Sequence, residues 1–339
     1  MDNIISQNID RCIDQIITVP KMQNQNILVN GELHNYILSN ILSSKYRKTK
    51  VDKDTIESID QKVLKAINTK SPIEFAIPFG AYKGWKLPTH PETDWGEVFN
   101  ISHIINYLLP ISNAYQYGIT VYYTFQDNIM HEISNIPKRN FELYKECFLR
   151  LLNYFNSQLN GIRLELFSIS NLYPSEKQYY EDYQKGFEYN LLHWNEKYSE
   201  SERIRKVNSA KNNLAKKGVI DYSDLNDDEW EQKCIISAMQ TDAVDCLYWR
   251  RKFNKNSNRI QLVFVRGPEN SIHIGSCITS TAHFWAGTGV LEFNKKILPR
   301  ILTQNNYLSA LHEDRLYSYK LECTLSTISK NYSNIQIMK

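Results

Sequence analysis

Glycine is scarce in this chain. Of 339 residues, 12 are glycine, about half the average share of roughly 7%. A residue habit that favours Asn, Ile, Lys and Tyr accounts for part of the deficit. No GxGxxG, GxxxxGK[ST] or GxSxG occurs. That argues against glycine-cradled dinucleotides and triphosphates, and against a serine-hydrolase elbow. A long apolar run is also missing; nothing approaches the ~18 residues of a membrane span. Neither charge sign dominates: 40 basic residues face 37 acidic ones, for a net charge of +3. A near-neutral chain carries no broad field for nucleic acid. The six cysteines (Cys12, Cys147, Cys234, Cys246, Cys277 and Cys323) include no CxxC pair. The opening MDNIISQNIDRCIDQIITVP is polar and carries acids, so it does not read as a signal peptide. The expectation is a cytoplasmic protein with reduced, mostly buried thiols. Cys277 follows a predicted strand, but no base lies near it in sequence to make it a nucleophile.

Hydrophobic residues make up 42% and charged residues 23% of the chain, ordinary for a globular protein. At about 100–200 residues per domain, the length predicts one large domain or two intimate ones. Apolar periodicity predicts helices over 1–70, including a capped one over 52–66 with Ile56, Ile59, Val63 and Leu64 on one face. Strand and helix then alternate. PIEFAIP (72–78), GITVYYTF (118–125) and GIRLELFSI (161–169) read as strands. Helices fall between them over 97–113 and 140–159. Residues 175–217 are polar, yet Tyr179, Tyr183, Phe187, Leu191 and Trp194 recur every three or four residues, as in a helical insertion with one buried face. A long helix over 227–253 opens on acids and ends on Arg250, Arg251 and Lys252, which suit its two ends. Strands are predicted over 259–266, 271–276, 288–293 and 317–326. The predicted class is α/β: a Rossmann-like, mostly parallel sheet flanked by helices. Its parts are an N-terminal helical segment (1–70), a first α/β half (71–174), a helical insertion (175–226) and a C-terminal part (227–339) that completes the core with a mixed sheet region.

Ligands of such sheets bind beyond the carboxyl ends of the strands. Three of those ends carry suggestive residues. After PIEFAIP come Lys83 and then Asp94 and Glu97 at the next helix start. After GITVYYTF comes Asp127. After RIQLVFV comes Arg266. Each has a plain structural alternative: helix N-cap for Asp94, turn residue for Asp127, solvated loop lysine for Lys83. Among the histidines, His34, His193 and His312 read as surface or half-buried. His103 lies on an apolar helix face, where a satisfied core histidine is the commoner case. His273 sits in a strand and His283 in a turn before Phe284 and Trp285. Their spacing matches no metal motif, so no metal is expected. The 22 tyrosines come without an RNP-like motif and read as packing residues.

The order of these motifs resembles the isonitrile (isocyanide) synthases of the pyoverdine/dityrosine biosynthesis family. PIEFAIPFGAYK followed by DWGE is similar to that family's first strand, its lysine-bearing loop and its acidic helix start. GITVYYTFQD is similar to its second strand, and GIRLELFSISNLYP to its third. SIHIGSCITSTAHFWAG is similar to its Gly-Ile-His strand and Trp-His-Gly element. The resemblance runs from about residue 70 to 295 and rests on order and spacing. The chain departs from the pattern at several points. Trp285-Ala286-Gly287 lacks the histidine of that element. Arg266 stands where a histidine is expected. Lys83-Gly84 replaces a lysine-serine pair. Gln240-Thr241-Asp242 replaces an arginine-serine pair in the long helix.

The resemblance implies a reaction that joins an amino acid's α-amine to the ketone of ribulose 5-phosphate, giving an isonitrile. It implies no cofactor, nucleic acid or membrane partner, and a downstream oxygenase acting on the product. Lys83, Asp94, Glu97, Asp127 and His273 are then candidates for proton transfer and for gripping the sugar or amine. Arg266, Arg250 and Arg251 are candidates for holding phosphate or carboxylate, with helix C-capping charge the alternative for the arginine pair. Trp285 and His283 would wall the pocket. Two other readings stay open. One is a same-fold enzyme that condenses another amine with a phosphosugar or keto compound. The other is a non-catalytic binding relative. A methyltransferase lacks its glycine-rich turn here, and a glycosyltransferase its Asp-x-Asp.

Overall fold

The central strands of the main sheet are largely apolar on both faces, the pattern of a parallel sheet covered by helices. The computed structural model describes residues 30–79, 92–125, 129–215, 220–250, 259–264, 271–275, 287–294 and 296–318. Helices α1 (Asn30–Ile41) and α2 (Lys53–Thr69) lead into β1 (Ile73–Phe79). Then come α3 (Trp95–Ala114), β2 (Ile119–Phe125), the short α4 (Met130–Ile133), α5 (Lys138–Asn156) and β3 (Ile162–Ser168). Helices α6 (Glu176–Lys197), α7 (Glu200–Leu214) and α8 (Asp227–Arg250) separate β3 from β4 (Ile260–Val263) and β5 (Ser271–His273). The five strands are all parallel, in the order β3-β2-β1-β4-β5. This is an α/β fold of Rossmann-like topology.

Strand alternation assigns the two layers. Phe75, Ile77, Val121, Tyr123, Leu262, Ile272 and Ile274 point into the large core under α1, α2, α3 and α5. Ala76 faces the other way, toward Ile133 of α4, Tyr179 and Tyr183 of α6, and Ala243 and Val244 of α8. Helix α3 is apolar nearly all round and is correspondingly buried along most of its length. It carries Pro110 in its interior. Proline has no N–H for the carbonyl four residues back. The Tyr46 hydroxyl fills that gap, donating to the Asn106 carbonyl at 3.2 Å. At the sheet's β3 edge the Asn156 amide takes both backbone groups of Leu164 at 2.8 Å, which occupies polar groups an edge strand would otherwise present.

Several expectations change. Leu191 is half exposed, and its neighbour Asn190 takes the buried position on α6, because Asn190 donates to the Met239 carbonyl at 2.8 Å. Leu64 is likewise partly exposed rather than on the buried face of α2. The C-terminal part adds β4 and β5 to the main sheet, and its remaining strands stand apart from it. Beyond β5 it forms a separate antiparallel sheet, β7-β6-β8, from β6 (Thr288–Asn294), β7 (Lys296–Leu302) and β8 (Leu316–Ser318). Strand β7 and helix α9 (Gln304–His312) are not anticipated by the sequence pattern. Among the described residues, no helix is long and apolar enough to cross a membrane.

Candidate functional site

The strand order locates a crevice. The chain adds β2 and β3 on one side of β1, then returns to place β4 on the other side. In such sheets the carboxyl ends at this reversal form the binding crevice. The segments that follow β1 and β4 are 80–91 and 265–270. They lie outside the described residues, and Lys83 and Arg266 with them. Asp127, Arg251, Cys277, His283 and Trp285 are also outside, and Arg250 ends α8 with its side chain not described. The described part of this edge is the start of α3, the ends of β2 and β3, and His273.

Asp94 and Glu97 are completely buried. They form a capping box on α3. Asp94 Oδ1 accepts from the Gly96 N–H at 2.7 Å, and Glu97 Oε2 accepts from the Asp94 N–H at 2.7 Å. Each then reaches beyond its own helix. Asp94 Oδ1 also accepts from the Gly289 N–H of β6 at 3.0 Å, and Glu97 Oε1 from the Tyr144 hydroxyl of α5 at 3.0 Å. Burial first, and then the nearby Glu97 carboxylate, hold the Tyr144 phenol well above its ordinary pKa. Both carboxylates therefore act as joints, tying α3, α5 and the second sheet together at the carboxyl edge.

His273 ends β5, half-buried. Its Nε2 lies 3.0 Å from the Phe264 carbonyl oxygen. A carbonyl only accepts, so Nε2 carries the proton and Nδ1 is left as a lone pair in the neutral ring. Nδ1 is buried and has no hydrogen-bond partner among the described residues. Burial lowers the His273 pKa, the Phe264 bond opposes this, and the Lys48 ammonium adds to the lowering. The product is an oriented imidazole whose Nδ1 lone pair has no partner among the described residues, and a neutral imidazole is the form a general base needs.

Sequence reasoning misses three groups. Lys145 of α5 donates to the Ser168 hydroxyl at 3.2 Å, where β3 ends. Its cue was position: it lies four residues after Phe141 and three before Phe148, on an otherwise apolar stripe. His103 is not the satisfied core histidine expected. It is buried, and neither ring nitrogen has a hydrogen-bond partner among the described residues. Burial, helped by Lys48, pushes its pKa down to about 4. Lys48 itself lies in the N-terminal segment, between α1 and α2. Other buried polar atoms without hydrogen-bond partners among the described residues include Thr93 Oγ1, Trp95 Nε1, Thr124 Oγ1 and Thr288 Oγ1. These flank 80–91, 126–128 and 276–286 in the chain. Among the described residues, no three His, Cys, Asp or Glu side chains group as metal ligands.

No protein-family profile and no curated protein matches the chain. Among solved structures it is similar to the crystal structure of the PvcA protein from Pseudomonas aeruginosa. The two are 14% identical with a TM-score of 0.56, over 85% of this chain and 99% of that one. At that identity the likeness is one of fold: this chain is built on the architecture that PvcA adopts.

Proposed function

We propose that this protein is an isonitrile synthase-like enzyme that condenses an amino acid's α-amine with ribulose 5-phosphate. The observation that carries the reading is His273: a neutral imidazole, oriented by the Phe264 carbonyl, with Nδ1 unpartnered among the described residues at the carboxyl edge of the sheet. Two things support its context. The motif order resembles that of the isonitrile synthases, and the fold is shared with PvcA.

In this reading His273 Nδ1 removes a proton during imine formation or carbon–carbon cleavage. Lys83 and Asp127 shuttle protons or grip the sugar. Arg266, Arg250 and Arg251 hold phosphate or carboxylate, and Trp285 and His283 wall the pocket. Asp94 and Glu97 act by holding the start of α3 in place. His273→Gln and Lys83→Ala are each expected to lower kcat by roughly 100-fold or more, the scale of lost acid–base help. Single-turnover rates measure this directly, and a fully active double variant sinks the assignment.

One observation favours the second reading, a different amine or keto substrate. Asp242 stands in the long helix where the family pattern has its arginine-serine pair. It is buried and engaged by Lys197, Lys206, Tyr198 and Asn190, so that position offers no cation to a substrate. Incubation with all twenty amino acids, with and without ribulose 5-phosphate, separates the readings. Tetrazine trapping and mass spectrometry would report a sugar-dependent isonitrile under the first. Sugar consumption without an isonitrile supports the second. Neither consumption nor product from folded protein supports a non-catalytic relative.

A further inference from the structure

Between α1 and α2 the chain is tied to the β5 edge of the main sheet. Arg47 and Ile274 form an antiparallel bridge. On one side of it the Lys48 N–H donates to the His273 carbonyl at 2.8 Å. On the other, the Gly275 N–H donates to the Tyr46 carbonyl at 2.9 Å. Tyr46 is pinned in turn by its hydroxyl on Asn106, the acceptor that Pro110 leaves without a helical donor. Its ring lies 5.5 Å from that of His103. Lys48 is therefore held to the sheet at several points, although its stretch of sequence carries no strand pattern.

The bridge sets which residues oppose one another, and Gly275 locates the Lys48 side chain. Directly opposed residues share a face and successive residues alternate. Arg47 shares a face with Ile274, which is fully buried in the large core. Lys48 is the residue opposite His273 across the bridge. The lysine chain leans over Gly275, where an added Cβ would stand 3.3 Å from Lys48 Cε. It thus runs past the end of β5 toward the carboxyl edge. Its charge is close enough to disfavour protonation of both His273 and His103. Among the described residues no carboxylate pairs with it.

We infer that Lys48 binds an oxyanion of the substrate, a phosphate monoester or a carboxylate, beside the proton-accepting Nδ1 of His273. An ammonium there serves two ends. It keeps the neighbouring imidazole neutral and ready to accept a proton, and it offers charge-assisted hydrogen bonds to an anion. The inference deepens the functional reading above and rests on it for the identity of the substrate.

The test uses the full chain, isotope-labelled, with the His273 imidazole resonances assigned by their loss in His273→Gln. Inorganic phosphate and acetate are titrated separately. A saturable shift of the His273 signals is expected, retained in Lys48→Arg and weakened by about tenfold or more in Lys48→Met. A response to phosphate only assigns the subsite to a phosphate end. A response to acetate only assigns it to a carboxylate end, and either supports the inference. No response to either anion, or a wild-type titration in Lys48→Met, overturns it. Lys48→Gln, with thermal melts of each variant, separates a binding loss from a folding loss. The readout is independent of turnover, so a protein that makes no isonitrile leaves the subsite standing. An isonitrile-forming Lys48→Met enzyme with unchanged KM sinks the subsite alone.

Discussion

Gly289→Ala is expected to cost about 3 kcal/mol or more and to loosen the second sheet from the core. Strand β6 lies backbone to backbone on the first turn of α3. A Cβ added at Gly289 would stand 1.7 Å from the Gly96 nitrogen, 2.4 Å from its Cα and 2.5 Å from the Trp95 carbonyl carbon. All three are main-chain atoms of a buried, capped helix start, so no flexible side chain can yield. Overpacking a core with added methylenes typically costs ~1–3 kcal/mol. Here relief also requires the strand to retreat, which breaks the bond from the Gly289 N–H to Asp94. Leaving a buried acceptor short of a donor adds ~1–3 kcal/mol. The sum is a large fraction of the ~5–15 kcal/mol that holds a typical domain. Equilibrium denaturation of Gly289→Ala against Gly31→Ala measures the effect. Gly31 is exposed near the start of α1, and a Cβ there meets nothing within 4 Å. That control is expected to be neutral or to gain up to ~1 kcal/mol of helix propensity. A Gly289→Ala protein as stable as the control would contradict the packing of β6 on α3. The contact also bears on the site, since Gly289 anchors the chain where it leaves 276–286, the segment that holds His283 and Trp285.

Asp242→Ala is expected to cost about 3–5 kcal/mol, the usual penalty for removing one partner of a buried ion pair. Asp242 comes from α8, while Lys197 and Tyr198 come from the end of α6 and Lys206 from α7. Its Oδ1 accepts from the Tyr198 hydroxyl at 2.5 Å and from Lys206 at 2.9 Å. Its Oδ2 accepts from Lys197 and, at 3.1 Å, from Asn190. The carboxylate side chain is 4% exposed and Lys197 only 10%. The variant would strand that ammonium in a site with little water. Burial by itself would raise the Asp242 pKa, but the bonds from Lys197, Tyr198 and Lys206 outweigh it and leave the group below its ordinary value. The sign of the pH effect follows. A depressed carboxylate stabilises the fold fully above its unfolded pKa of about 3.9. That contribution fades as pH falls from there through the lower folded value. Wild-type protein should therefore lose stability more steeply below pH ~4 than Asp242→Asn, which starts lower and has no such carboxylate to protonate. Denaturation midpoints measured across acid pH check both statements. Equal acid sensitivity in the two proteins would mean that the network contributes nothing measurable.

Much of the parallel core was legible in the chain. The runs 72–78, 118–125 and 161–169 are β-branched and aromatic and are bounded by turn formers, and the helices between them keep apolar spacing. Those are local properties, and they locate β1, β2 and β3. The strand 296–302 was not legible, because Pro299 and flanking lysines and arginine hide it; it is held by its pairing with β6. Leu191 and Asn190 show the same limit. Periodicity favoured the leucine, while a hydrogen bond to a carbonyl on another helix buries the asparagine.

The site divides along the same line. Residue type and a place in a strand singled out His273, and placement after a strand singled out Asp94. That the His273 ring is oriented with Nδ1 as its lone pair depends on the Phe264 carbonyl, nine residues away in the chain. That Asp94 is shared between a helix cap and a distant strand depends on Gly289, 195 residues further on. Lys48 carried no signal, since its placement comes from the bridge between its neighbour Arg47 and Ile274 and from a Tyr46 hydroxyl that answers a proline in α3. Patterning along a chain records which face each residue prefers, because burial of apolar surface acts on each element nearly alone. Hydrogen bonds and charges act over a few ångströms and only between particular atoms, so the partners of Asp94, His273 and Lys48 exist only once the chain has closed on itself.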